Sequence, residues 1–261
     1  MRVRRAVPLL AAALAVLAVC SAPRPVPAGT GGEALRGTVT AVYDGDTVKV
    51  LLPGGKTEKV RLIGVDSPEL DDEREAVRLM AFLAKRFAYS RLFRARVELL
   101  PGPETRDDYK RLLAYIRTAD GDLFNVTLVR EGYAHAYLRF PFDEAWRKDL
   151  RAAEAEARRA GRGLWKEGPY AVLTAGEAGR RVGEVSTFRF RCRRSFKRGG
   201  FRILEADGAV FDAVIPLSVY HALPGPLDLE GRTLEATGLV ELYKGRPQVM
   251  IGLPVQLARV D

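Results

Sequence analysis

The stretch Gly37-Thr38-Val39-Thr40-Ala41-Val42-Tyr43-Asp44-Gly45-Asp46-Thr47-Val48-Lys49-Val50-Leu51-Leu52 decides the fold. Branched apolar residues alternate with polar ones on both sides of Asp44-Gly45-Asp46, so each arm has a period of two and the centre has turn chemistry. This is a β-hairpin with an acidic turn. Working outward, Lys59 to Val65 reads as a third strand. Glu69 to Tyr89 carries Val77, Met80, Ala81, Ala84 and Ala88 between charges, which is helical spacing. Leu92 to Leu100 and Leu112 to Thr118 read as strands, the second closed by Asp120-Gly121. Leu123 to Arg130 reads as a helix ending at Gly132, Tyr133 to Leu138 as a short extended piece, and Phe142 to Ala160 as an amphipathic helix stopped by Gly161 and Gly163. Five strands with three interleaved helices predict a mainly β (α+β) domain over 33–168, built on a five-stranded barrel of the OB type. Residues 169–181 read as a linker. Residues 182–261 read mostly as strands, with one short segment at Pro216 to Leu223, and predict a second, smaller OB-like β-barrel.

The chain has 261 residues, 47% of them hydrophobic and 29% charged, which excludes a disordered polyampholyte. Its net charge is +9, but Arg2, Arg4, Arg5 and Arg24 lie in the first 32 residues with no acid among them. Without that segment the chain is only mildly basic, so overall charge says little about nucleic acid. The same segment has the order of a secretory signal: a basic start, an uncharged run from Ala6 to Val19, then small and proline-rich residues. Cleavage after Ala18 or after Ala28 suits the small-residue rule. Leu17-Ala18-Val19-Cys20 is close to a lipoprotein box, with Val19 departing from it, so a lipid anchor at Cys20 is an alternative, and an uncleaved anchor is a third. The expected location is outside the cytosol, secreted or in the cell envelope, with residues 1–28 removed and no membrane span in the mature chain. Cys192 would then be the one thiol left. With His135 and His221 the only histidines and no paired cysteines, zinc and histidine chemistry have little material.

Phosphodiester hydrolysis needs a nucleophilic water, a cation for a phosphate oxygen, and positive charge around phosphorus. Three segments could supply them. Asp44-Gly45-Asp46-Thr47 offers hard oxygen ligands, although Asp-Gly is also an ordinary turn pair. Arg61-Leu62-Ile63-Gly64-Val65-Asp66-Ser67-Pro68-Glu69 leads a basic strand residue into a loop with two acids; Ser67-Pro68-Glu69 could equally start the next helix as N-cap, first position and first turn. Asp107-Asp108-Tyr109-Lys110-Arg111-Leu112-Leu113-Ala114-Tyr115 places an arginine at the head of an apolar strand, where a solvated flank is the ordinary explanation.

Taken together and in this order, the three segments resemble the staphylococcal nuclease (thermonuclease) family. The resemblance spans about residues 36–167 and includes Asn125-Val126-Thr127-Leu128-Val129-Arg130-Glu131-Gly132 and the ending Gly163-Leu164-Trp165. It implies a calcium ion held by the Asp46 and Asp66 carboxylates and the Ser67 carbonyl. It implies that Arg61 and Arg111 pair with the phosphate, a role lysine fills poorly, that Glu69 orients or deprotonates the attacking water, and that Tyr109 contacts a terminal phosphate. The implied activity is cleavage of DNA and RNA to 3′-phosphate ends. Three positions depart from the family pattern. Ser67 replaces threonine, Lys110 replaces glycine and could add a phosphate contact, and Asp108 stands where relatives are often basic. Tyr133, Tyr137, Phe140 and Phe142, interleaved with Arg139, are either core residues or base-stacking ones.

In the second module Arg189, Arg191 and Arg193 alternate and share one strand face, with Arg194, Lys197 and Arg198 nearby. That face could follow a single-stranded backbone or be merely solvated. Cys192 points the other way, into a core, and His221 reads as packing or surface. The expected function is an exported calcium-dependent endonuclease acting on DNA or RNA, with no permanent protein partner implied. The alternatives are a non-catalytic nucleic-acid-binding envelope protein of the same fold, or an envelope protein whose second module binds protein or glycan.

Overall fold

The computed structural model describes residues 32–138, 143–168 and 170–260. The proposed leader with Cys20, and Arg139, Phe140 and Phe142, lie outside the described residues. Strands β1 (Leu35–Val42), β2 (Thr47–Leu51), β3 (Thr57–Leu62), β5 (Arg96–Arg106) and β6 (Leu112–Arg117) close a barrel in the order β1-β2-β3-β6-β5. The only parallel neighbours in the ring are β3 and β6, with Val60 opposite Leu112 and Arg61 opposite Leu113. Two short strands, β4 (Val65–Asp66) and β7 (His135–Ala136), pair beside the barrel. Helices α1 (Glu75–Leu92), α2 (Phe124–Arg130) and α3 (Glu144–Ala160) cover it. The expected five-stranded barrel with three helices is therefore present.

Element boundaries differ where side chains compete with helix propensity. Ser67-Pro68-Glu69 does not start α1, which begins six residues later at Glu75. Asp46 captures the Ser67 backbone N–H at 2.7 Å, which holds Ser67 buried in a loop. Farther along, the Arg74 N–H and guanidinium donate to the Asp72 carboxylate, fixing a turn before the helix. The strand expected from Leu92 begins only at Arg96, because α1 runs on to Leu92 and Arg94 turns the chain with φ 64°. That strand continues through Pro101-Gly102-Pro103 to Arg106, with a register shift against β6; prolines sit at a bulge, where no ladder N–H is needed.

The barrel core gathers Val48, Val50, Val60, Leu62, Leu99 and Ile116 from inward-facing strand positions, with Leu83, Phe87, Leu128 and Leu150 closing it from the helices. Tyr133 is buried and stacks on Phe87 at 4.6 Å, so it is a core residue and not a base platform. Gly132 and Gly163 let two backbone turns touch: a Cβ on either would lie 2.2 Å from the other segment's carbonyl oxygen, and both have positive φ. Asn125 is fully buried on α2. Its amide donates to the Ile63 carbonyl at 2.8 Å and its oxygen accepts the Ile116 N–H at 3.0 Å.

Strands β9 (Val185–Arg198), β10 (Phe201–Ala206), β11 (Asp212–Pro216), β12 (Thr233–Tyr243) and β13 (Arg246–Met250) form a second closed ring, in the order β9-β10-β11-β13-β12 and back to β9. Helix α4 (Leu217–Tyr220) follows its third strand, as α1 follows β3, so both rings share one topology. The expected linker carries β8 (Val172–Thr174), which joins β9 in parallel, and a 3-10 turn over Ala175–Arg180. The Tyr243–Arg246 turn joins β12 and β13, and β14 (Leu257–Arg259) follows and pairs with β12. Cys192 is fully buried in this second core, and His221 is exposed. The two barrels are joined through α1. Arg86 pairs with Glu241, Leu239 enters the first core, and Phe82 packs so closely on Gly252 that no side chain fits there. Among the described residues no helix is long and apolar enough to cross a membrane.

Replacing Asn125 with alanine would strand two buried backbone groups beside the loop that follows β3. We expect it to cost about 2–4 kcal/mol in urea unfolding, while an exposed α3 substitution such as Arg151→Ala costs roughly nothing.

Candidate active site

The acidic turn between β1 and β2, the loop after β3 and the loop before β6 meet at one end and outer side of the first barrel. The hairpin places Asp46 at the foot of β2, where it is 3% exposed. One Asp46 oxygen accepts the Ser67 N–H and sits 2.6 Å from Arg61 Nη1; the other accepts the Thr47 hydroxyl at 3.2 Å. Gly45 has no positive φ, so it is not there for turn geometry. A Cβ at Gly45 would lie 2.8 Å from Ser67 Cβ, so close packing of the turn on the loop is what requires glycine.

Arg61 lies on β3 with its side chain outside the barrel and only 18% exposed. Its second nitrogen reaches Asp66 Oδ1 at 3.2 Å, and Nη1 also donates to the Val65 carbonyl at 3.2 Å. Asp46 and Asp66 thus converge on one guanidinium from two loops. Asp66 leaves its side chain half exposed, so its oxygens remain open to solvent. Glu69 is exposed at the same edge. Partial burial and the Asp46 charge push its carboxyl above the ordinary glutamate value, with Arg61 opposing them. Asp44 is raised further, to about 6, by burial and then by Asp46 beside it. Carboxylates that raise one another in this way concentrate negative potential, a suitable environment for a cation.

Arg111 is brought to the same outer face by register. Leu113 sits opposite Arg61 on the parallel pair, so Arg111, two residues earlier, faces the same way one row along; strand geometry puts the two Cα atoms roughly 8 Å apart. Asp107 holds Arg111 twice, accepting its backbone N–H at 2.9 Å and its Nε at 2.6 Å. Burial pushes the Asp107 carboxyl up, but these bonds outweigh it and hold it below the usual aspartate range. Asp107 engages Nε, which leaves the Arg111 terminal nitrogens as the donors available to a phosphate. Tyr109 is 82% exposed, and its ring carries the Arg111 guanidinium at 5.3 Å. Lys110 has φ 62°, a left-handed conformation in which glycine is unstrained, which accounts physically for a glycine preference there.

Asp46, Arg61, Asp66, Ser67 and Glu69 therefore form one cluster, with Arg111, Tyr109 and Lys110 on the neighbouring loop. Two contributors were not singled out from sequence. The Asp107 spacing of four before Arg111 was a usable signal. The Asp44 role was not legible, because it depends on burial. His135 is exposed on β7, opposite Asp66 in the β4–β7 pair, and its imidazole faces Glu154 at 3.5 Å. Among the described residues no three acid, histidine or cysteine side chains gather closely enough to hold a metal ion by themselves. A cation here would need backbone and water oxygens as well.

Comparison with known proteins matches residues 59–167 to the staphylococcal nuclease homologue family. The chain is similar to a thermonuclease of Staphylococcus intermedius, 36% identical over 128 residues, which is 49% of this chain and 74% of that protein. It is similar to a thermonuclease of Staphylococcus hyicus at 30% identity, covering 73% of that protein. It also matches the endonuclease YhcR of Bacillus subtilis (strain 168), 32% identical over 154 residues but only 12% of that much longer chain. With the barrel, the clustered loops and these relatives together, the chain belongs to the staphylococcal nuclease family and is a nuclease.

Proposed function

We propose that the protein is an exported, calcium-dependent endonuclease that hydrolyses phosphodiester bonds of DNA and RNA and leaves 3′-phosphate ends. The observation that carries this reading is the convergence of the Asp46 and Asp66 carboxylates on the Arg61 guanidinium, with Glu69 in their field. The donor set fits calcium: two carboxylates and the Ser67 carbonyl are hard oxygens, and Asp66 is open enough for waters to complete the shell. When bound, the ion supplies positive charge that polarises the phosphoryl oxygen. Asp46, Asp66 and the Ser67 carbonyl would hold the ion, and Arg61, beside both carboxylates, would donate to the phosphate. Export rests on the basic start at Arg2, Arg4 and Arg5 ahead of the uncharged run to Val19.

Arg61 and Arg111 approach the phosphate from two adjacent strands and meet the charge that grows on its oxygens as phosphorus becomes five-coordinate. Glu69, more basic than an ordinary glutamate, holds the water and takes its proton. The water oxygen bonds to phosphorus as the bond to the 5′ oxygen breaks. The 5′ oxygen takes a proton from solvent, and the phosphate stays on the 3′ side. Tyr109 and Lys110, exposed beside Arg111, are placed to contact a flanking phosphate.

Cleavage of plasmid DNA and RNA should require calcium, stop with chelator and return when calcium is restored; binding without cleavage under all conditions would favour the non-catalytic reading. Glu69→Gln and Arg111→Ala should each lower kcat by about two to three orders of magnitude with circular dichroism unchanged, and near-normal rates in either would refute the assignment. Gly45→Ala should push the acidic turn off Ser67, costing on the order of 1–3 kcal/mol of stability and about tenfold or more in rate.

A further inference from the structure

The second barrel carries a basic surface that the nuclease chemistry does not use. Along β9, Phe188, Phe190 and Cys192 point into the core while Arg189, Arg191 and Arg193 point out. Strict alternation would turn Arg194 inward. A register shift between β9 and β10 intervenes: Glu205 is opposite Arg194, yet Ala206 is opposite Cys192. The extra residue puts two consecutive arginines on the outer face, as a bulge does. Glu205 is buried beneath them. It pairs with Arg193, with Arg246 at 2.9 Å and with Arg194 at 3.9 Å, and Arg246 also reaches Asp212 at 3.4 Å.

The asymmetry of this network is informative. The two carboxylates are buried, whereas the Arg193, Arg194 and Arg246 side chains stay 49%, 54% and 40% exposed. The acids act as pegs that fix the guanidiniums and leave their other N–H groups facing water, so part of the ordering cost of binding an anion is already met. Arg198 and Lys244 lie at the adjoining hairpin tips and add further charge, Arg198 near enough to Asp212 to favour its ionised form. Aromatic rings alternate with these cations: Arg194 lies 4.3 Å over Phe196, and Arg198 lies 5.1 Å over the exposed Tyr243. Phe201 is exposed on the same tip. The two acids lie on the second and third strands of an OB-type ring and the arginines on its first and fifth, beside the first and last hairpin tips, in the region where such barrels bind extended polymers.

We propose that this face, from Arg193 and Arg194 across Arg246 to Arg198 and Tyr243, is a single-stranded nucleic-acid binding site that captures substrate for the first barrel. The interleaved rings favour nucleic acid over another polyanion, since only bases offer flat partners to stack. The choice of substrate as the ligand rests on the nuclease reading.

The test uses the full-length protein with chelator present, so that binding is read without cleavage. Fluorescence anisotropy with labelled oligothymidylate of about 20 nucleotides, long enough for one OB site, compares wild type with Arg198→Glu/Lys244→Glu, Tyr243→Ala and Lys244→Gly. None of these residues holds Glu205, and Lys244 has φ 50°, so glycine there relieves strain. We expect Kd to rise about tenfold or more for the charge reversal and several-fold for Tyr243→Ala, with unchanged melting. With calcium added, KM for long single strands should rise while cleavage of a dinucleotide is unaffected. Wild-type affinity in the reversal variant would overturn the proposal. So would heparin binding as tight as oligothymidylate together with indifference to Tyr243→Ala, which would mark a general polyanion surface. If wild type cleaves nothing, the nuclease reading fails while the anisotropy still decides this one.

Discussion

The Asp46 carboxylate is the joint on which the site depends. It is buried, so every bond it makes is strong and each loss is costly. Through one oxygen it takes the Ser67 N–H and the Arg61 guanidinium, tying the hairpin turn to the loop after β3. That single attachment explains why α1 starts late, why Gly45 carries no side chain, and why Asp66 and Glu69 arrive at the same edge. Three features that look independent along the chain follow from one carboxylate.

Support for this joint comes from behind. Asn125 anchors Ile63 to α2 and β6, and the parallel pairing of β3 with β6 fixes how Arg61 and Arg111 face. Asp107 then orients Arg111 as Asp46 and Asp66 orient Arg61. Both arginines are thus held in place by acids. The second barrel repeats this device, with Glu205 and Asp212 beneath Arg193, Arg194 and Arg246. In each case a buried acid converts a flexible cation into a fixed one, which is what recognition of a phosphate ester demands.

The barrels are also mechanically linked. Tyr170 reaches Met80, Arg86 pairs with Glu241, and Leu239 completes the first core, all on or against α1. The second module is thus packed on the helix that follows the candidate site's loop. Contacts of this kind let a binding surface and a cleavage site belong to one rigid assembly, whereas a flexible tether would separate them.

Local pattern was enough for the hairpin, the two-barrel architecture, the helices of the first barrel and the core direction of Cys192, because alternation and helical spacing report burial directly. The ordered motifs around Asp46, Arg61, Asp66, Glu69 and Arg111 likewise carried the family. What the sequence could not show depends on contacts across space. The start of α1 yields to a hydrogen bond between residues 21 apart. Tyr133 is core because Phe87 is there to stack on it, and the expected linker becomes β8 because β9 has an edge to extend. The outward turn of Arg194 comes from a register shift that needs the partner strand to exist. Each is an energy between distant residues, and only the folded chain brings those residues within reach.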